Sequence, residues 1–146
     1  QEVERSGARY GYRLIVSART TPPEAVREAL AVPGAAPMLR VEAMHLRDDR
    51  PHILEERWIC LDTVPEAAAV DFSRESANEW LVRNRPYDRC SLQFSAMSGD
   101  ARIATLLGAG LTDALLVMAR TTWLKTEPIT TVRAIAAPGY ALEATS

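Results

Sequence analysis

Hydrophobic and polar residues alternate with a period of two in several stretches of this chain, a period that marks strands rather than helices. In residues 8–18 the alternation runs through Tyr10, Tyr12, Leu14 and Val16 and predicts a first strand after a loose polar lead-in, residues 1–7. Residues 41–59 predict two further strands around a charged turn, where Asp48, Asp49, Arg50 and Pro51 break the pattern. Residues 90–96 form another, with Leu92, Phe94 and Ala96 in phase, and residues 114–124 and 128–136 form a hairpin bent at Lys125–Thr126–Glu127. A short last strand is expected over residues 140–144, after the turn at Pro138 and Gly139.

Helical spacing appears between these runs. Thr21, Pro22, Pro23 and Glu24 read as a capping box opening a helix that buries Val26 and Leu30 and stops at Gly34. Ser76 and Glu79 cap a second helix reaching about Asn84, and Ser98, Gly99 and Asp100 open a third, with Ile103, Leu106 and Leu107 as its buried stripe. Residues 61–71 connect the first hairpin to the second helix. Hairpins joined by single helices predict an α+β architecture, an antiparallel sheet of about six strands with helices packed on one side. There is no internal repeat, and residues 1–146 read as a single domain.

Polar residues within the central hairpin change the picture from fold to chemistry. His45, Glu55, Glu56 and Arg57 stand where a structural strand carries Val or Thr, and buried polar groups are costly unless paired. A two-residue turn at Asp48 and Asp49 sets His45 opposite His52 and sends Glu55 to the far face. A three-residue turn through Arg50, with a bulge, places His45, Glu55 and Arg57 on one face with Ala43 and Ile53. The second is the expectation, with Trp58 on the other face beneath a helix; the alternative is a solvated edge hairpin. The start of the second helix offers Ser76, Asn78 and free backbone N–H groups to an anion, or simply a cap. Arg120 either ends a core face or points into the site.

Composition narrows the classes. The chain has 146 residues, 47% hydrophobic and 25% charged, with a net charge of −2, an ordinary globular balance. Lys125 is its one lysine, so the segment lacks the basic footprint of a nucleic-acid binder. Cys60 and Cys90, without metal spacing, are expected as buried free thiols of a cytoplasmic protein. No apolar run is long enough to cross a bilayer. Nothing pairs a nucleophile with a base, spaces ligands for a metal or forms a glycine-rich phosphate loop, so no catalytic residue, metal or cofactor is expected. A start at Gln1 suggests a piece of a longer protein.

Several motifs in order carry a resemblance. His45-Leu-Arg-Asp-Asp-Arg-Pro, Leu54-Glu-Glu-Arg-Trp, Val64-Pro, Asp71-Phe and Ala77-Asn-Glu-Trp-Leu are followed by Ala114-Leu-Leu-Val-Met-Ala-Arg-Thr-Thr-Trp, Pro128-Ile-Thr-Thr-Val-Arg and Pro138-Gly-Tyr-Ala-Leu. Together they resemble the effector-binding UTRA domain of GntR-type bacterial transcription regulators, in its histidine-utilisation repressor-like branch, from about Tyr12 to Ala144. The resemblance implies a chorismate-lyase-like fold that binds a small metabolite and controls an amino-terminal winged helix-turn-helix, absent from this chain. It also implies a homodimer packed through sheet edges, no membrane partner, and DNA contact only through the absent domain. The implied ligand-binding residues are His45, Glu55, Arg57, Ser76, Asn78, Arg120 and Tyr140.

Two departures shape the ligand. Sugar-phosphate-binding members carry arginine at the positions of His45 and Ala43, and the loss of both guanidiniums argues against a phosphate. The turn, usually with glycine, has Asp49. Arg57, Arg120 and the N–H groups near Ser76 favour an anion, and Glu55 favours an N–H donor on the same molecule. The expected effector is therefore a small carboxylate, imidazole-bearing or amino acid-derived. The sequence leaves two alternatives open: a chorismate-lyase-like enzyme acting on a small carboxylate, and a dimerisation module without ligand.

Overall fold

The computed structural model describes residues 7–34 and 36–146; residues 1–6 of the expected loose lead-in lie outside the described residues. Six strands form one sheet: β1 (Tyr10–Arg19), β2 (Met38–Arg47), β3 (Arg50–Cys60), β4 (Arg89–Met97), β5 (Leu115–Leu124) and β6 (Glu127–Ala136). Their spatial order is β1-β2-β3-β6-β5-β4, and every neighbouring pair is antiparallel. The β3–β6 pairing joins two halves, so the central hairpin lies at the middle of the sheet and β1 and β4 at its edges. Three helices complete the α+β fold: α1 (Glu24–Leu30), α2 (Ala77–Asn84) and α3 (Ala101–Leu107), with a 3-10 turn at Pro65–Ala69.

Strand parity distributes the helices over both faces. Trp58, Met38 and Cys60 pack with Val26 and Leu30 of α1, and Met44, Leu54, Leu115 and Ile135 pack with Ile103 and Leu107 of α3; this is the back of the sheet. On the front, Leu39, Val41 and Ile59 pack with Phe72, Ala67 of the 3-10 turn, and Ala77, Trp80 and Leu81 of α2. Two helices thus share a side, as expected, and the third takes the opposite one. Apolar residues occur at both parities of β2 and β3, so each face of these central strands needs a cover. Trp58 lies under α1, the placement its parity predicts.

The β2–β3 turn corrects the expected one. Arg47 pairs with Arg50, so the loop is two residues, Asp48 and Asp49, both at positive φ (49° and 65°) as a type I′ turn requires. The extra residue sits further along, at His52, where the register shifts between His45↔Ile53 and Leu46↔Pro51. The bulge restores the register that a three-residue turn was expected to provide. Aspartate tolerates the left-handed region because its short carboxylate bonds locally, and here both carboxylates accept from Arg9.

Other local expectations change for physical reasons. Pro23, not Thr21, caps α1 without a side-chain bond, and the helix closes at Ala31 (φ 58°) before Gly34. Ser76 Oγ accepts from Glu79 N at 3.1 Å, and Asp100 caps α3 through Ile103 N at 2.8 Å. Residues 140–144 form no strand, having no ladder partner beyond β4 or β1. Cys60 is buried but Cys90 is exposed, because β4 is an edge strand without a helix over it.

Candidate functional site

The bulge at His52 brings His45, Glu55 and Arg57 to the front face. Ala43 faces Glu55, Val41 faces Arg57 and Ile53 faces His45, so the three polar residues share one parity. They form a continuous row: His45 Nε2 is 2.8 Å from Glu55 Oε1, and Arg57 Nε donates to Glu55 Oε2 at 2.8 Å. At one end Arg57 Nη1 donates to Thr130 Oγ1 (3.2 Å), whose hydroxyl donates to Trp58 O (2.7 Å). At the other, His45 Nδ1 meets the Tyr10 hydroxyl at 2.9 Å.

Burial and charge set the state of this row. Burial pushes the Glu55 carboxyl up, but the Arg57 charge and the His45 hydrogen bond outweigh it and hold the group at about 2. An ionised carboxylate can only accept, so His45 Nε2 carries a proton toward Glu55. In the neutral ring Nδ1 then accepts from the Tyr10 hydroxyl. Arg57, only 4% exposed, spends its guanidinium on Glu55 and Thr130. Removing one member of such a buried pair leaves an uncompensated charge, which costs more than the pair contributes.

Tyr12 links the row to α2. Its ring lies 5.5 Å from that of His45, and its hydroxyl donates to Phe72 O at 2.7 Å, in the segment leading to α2. Burial raises its phenol well above the ordinary tyrosine value, with Glu55, Tyr10 and Glu79 adding to the effect. Tyr10, Tyr12 and Thr130 escaped the sequence reading as site residues. The alternation of Tyr10 and Tyr12 in β1 was the available signal, since their register partners are Arg47 and His45.

The other expected residues are engaged elsewhere or exposed. Ser76 is buried at the start of α2 and engaged as its cap, and Asn78 is exposed on the first turn. Arg120 stands in the same cross-strand row as Arg57, with Val132 between them, so two strand spacings, about 10 Å, separate their backbones. Its guanidinium lies over the Tyr87 ring at 4.9 Å, and its Nε reaches Cys90 Sγ at 3.4 Å. Tyr140 lies beyond the bulge, its ring 5.4 Å from that of His52.

The back of the sheet uses its charges differently. Glu42, fully buried, pairs with Arg40 and with Arg102 of α3, and Glu56 pairs with Arg133. Among the described residues no buried side-chain polar atom lacks a partner, and no three His, Cys, Asp or Glu side chains gather as for a metal.

The central hairpin thus presents a paired, largely buried polar row on one face of an antiparallel sheet. The family model for the UTRA domain matches residues 5–138, and the chain belongs to that family. UTRA domains are effector-binding domains of GntR-family transcription regulators, sensing modules rather than enzymes. The fold is similar to the C-terminal domain of the histidine utilization repressor from Pseudomonas syringae pv. tomato, at 21% identity over 94% of this chain and 99% of that one, with a TM-score of 0.86. It is similar also to the effector domain of PhnF from Mycobacterium smegmatis (22% identity, 94% and 85% covered, TM-score 0.80). A third likeness is to a GntR-family transcriptional regulator from Bacillus cereus (14% identity, 94% and 98% covered, TM-score 0.79). No curated protein sequence matches the chain. At these identities the solved structures speak for the fold alone.

Proposed function

We propose that this domain senses a small carboxylate in the bacterial cytoplasm and, through it, controls DNA binding by an amino-terminal winged helix-turn-helix of the full-length regulator, a repressor of a catabolic operon. The observation that carries the reading is the Tyr10–His45–Glu55–Arg57 row, a polar floor already paired before any ligand arrives. Such preorganisation spares the ordering cost of binding. His45, both of whose ring nitrogens are bonded within the row, offers the ligand the face and carbon edge of its ring, Glu55 a remaining lone pair for an N–H group, and Arg57 acts through Glu55. Ser76, Asn78, Arg120 and Tyr140 complete the surroundings of the effector. A ligand that binds two arrangements of the regulator unequally shifts their populations.

A homodimer belongs to the same proposal. On the front of the edge strand β4, Leu92 is 57% exposed and Phe94 52%, and residues 90–97 carry no charge. An uncharged edge strand with an apolar face invites pairing, and a second copy of the domain is the occupant that suits a regulator reading two half-sites.

A thermal-shift screen of imidazole-bearing acids, amino acids and phosphosugars tests the reading. The imidazole-bearing or amino acid-derived acids are expected to stabilise the domain, by about 2.7 kcal/mol at a hundredfold excess over Kd. Stabilisation by phosphosugars alone, or turnover of any of these compounds, counts against it.

A further inference from the structure

The β2–β3 turn holds the start of β1. Arg9, the residue before Tyr10, exchanges two hydrogen bonds with Asp48: Asp48 N–H donates to Arg9 O at 2.8 Å, and Arg9 N–H donates to Asp48 Oδ1 at 2.8 Å. The exchange continues the β1–β2 ladder beyond the Tyr10↔Arg47 pair, with a carboxylate oxygen in place of a main-chain carbonyl. The Arg9 guanidinium then pairs with Asp49, the other residue of the turn.

Two adjacent carboxylates at positive φ are a poor choice for a type I′ turn, since glycine fits the second position without strain and neighbouring like charges repel. Arg9 engages both. An exposed ion pair contributes little by itself, so the hold on β1 comes from the two bonds between Arg9 and Asp48, which the Asp49 pair keeps in line.

The same two strands carry the polar row. Tyr10, next to Arg9, has its hydroxyl 2.9 Å from His45 Nδ1, and His45 stands three residues before Asp48 on β2. The Tyr10 and Tyr12 rings lie 5.9 Å and 5.5 Å from the imidazole. Because β1 is an edge strand with a neighbour on one side only, its first residues are held by the turn and by the row, and such edges are where local opening begins.

We propose that the Asp48–Asp49 turn is a clasp on the start of β1, coupled through Tyr10 to His45, and that an effector resting on the row tightens it. A ligand against His45 and Glu55 makes its full contacts only where Tyr10 holds the imidazole in place, and it therefore favours that arrangement over one in which the start of β1 has come away. The proposal rests on the effector reading above, in which the amino-terminal domain of the full-length regulator joins the chain ahead of β1.

Protection of the Arg9 and Asp48 amides against hydrogen exchange reads the clasp, and the His45 ring-nitrogen signals read the row. Asp48→Gly/Asp49→Gly suits a type I′ turn and removes both carboxylates. It is expected to lower protection at positions 9 and 48 by about tenfold and to shift the His45 Nδ1 signal, while amides of β3 and β6 stay as in the wild type. If that variant loses protection throughout the sheet, Arg9→Gln, at an exposed position, replaces it with the same expected direction at both readouts. Tyr10→Phe, which leaves the turn untouched, is expected to lower protection at the same two amides. A clasp that ignores Tyr10→Phe, or a His45 signal that ignores the loss of the clasp, overturns the proposal. Millimolar imidazole-4-acetate is expected to raise protection at both amides of the wild type and to have no such effect in the clasp variant. Binding seen at His45 without added protection overturns the proposal and leaves the effector reading standing. No binding counts against the effector reading, and the variants, which need no ligand, then decide the clasp.

Discussion

His45 Nε2 and Glu55 Oε1 stand 2.8 Å apart although the two residues are not cross-strand partners; Ala43 faces Glu55 and Ile53 faces His45. The contact is diagonal, and diagonal neighbours meet only when both side chains are long and the residues opposite leave room. Ala43 leaves that room. A long side chain in its place would crowd the His45–Glu55 contact.

Arg57→Ala is expected to destabilise the domain by about 3 kcal/mol, because it leaves Glu55 buried with its main counter-charge gone. Urea unfolding of the wild type, Arg57→Ala and Arg57→Ala/Glu55→Gln measures this. The double variant should recover part of the loss, since it removes the stranded charge.

Acid should weaken the fold through Glu55. Its folded value of about 2 lies below its ordinary 4.5, so its contribution is present above pH 4.5. The contribution declines as pH falls through that value and is gone below about 2. Its size is about 3 kcal/mol. Unfolding midpoints followed from neutral pH down to about 2 should show Glu55→Gln with the flatter profile, and equal slopes would mean that Glu55 titrates normally.

Ser76→Ala removes the hydroxyl that accepts from Glu79 N and is expected to cost about 1 kcal/mol, with Ser76→Asp restoring most of it. Thermal unfolding reads the difference. A much larger loss on Ser76→Ala would point to a role for this buried residue beyond the cap.

Phe94→Glu puts a charge into the exposed apolar face of β4 and is expected to give a monomer by light scattering where the wild type gives a dimer, without a change in helix or strand content. A wild type that is monomeric at high concentration removes the proposed dimer.

The sequence by itself determined the six strands through their period of two, but the same signal also suggested a strand over residues 140–144 that does not form, because alternation does not record whether a ladder partner is within reach. It determined two helix starts, because Ser76 and Asp100 cap through their own side chains. It also placed His45, Glu55 and Arg57 on one face and Trp58 on the other, since parity is a local property once the register is known. Only the tertiary structure decided how that register arises, because a bulge at His52 and a longer turn yield the same pairing of His45 with Ile53. It likewise decided that α2 crosses to the front, that Cys90 is exposed, and that Tyr10 and Tyr12 complete the row. These depend on which strands become neighbours and which edge stays uncovered, and the pairing of β1 with β2 and of β3 with β6 is a long-range choice that no local pattern records.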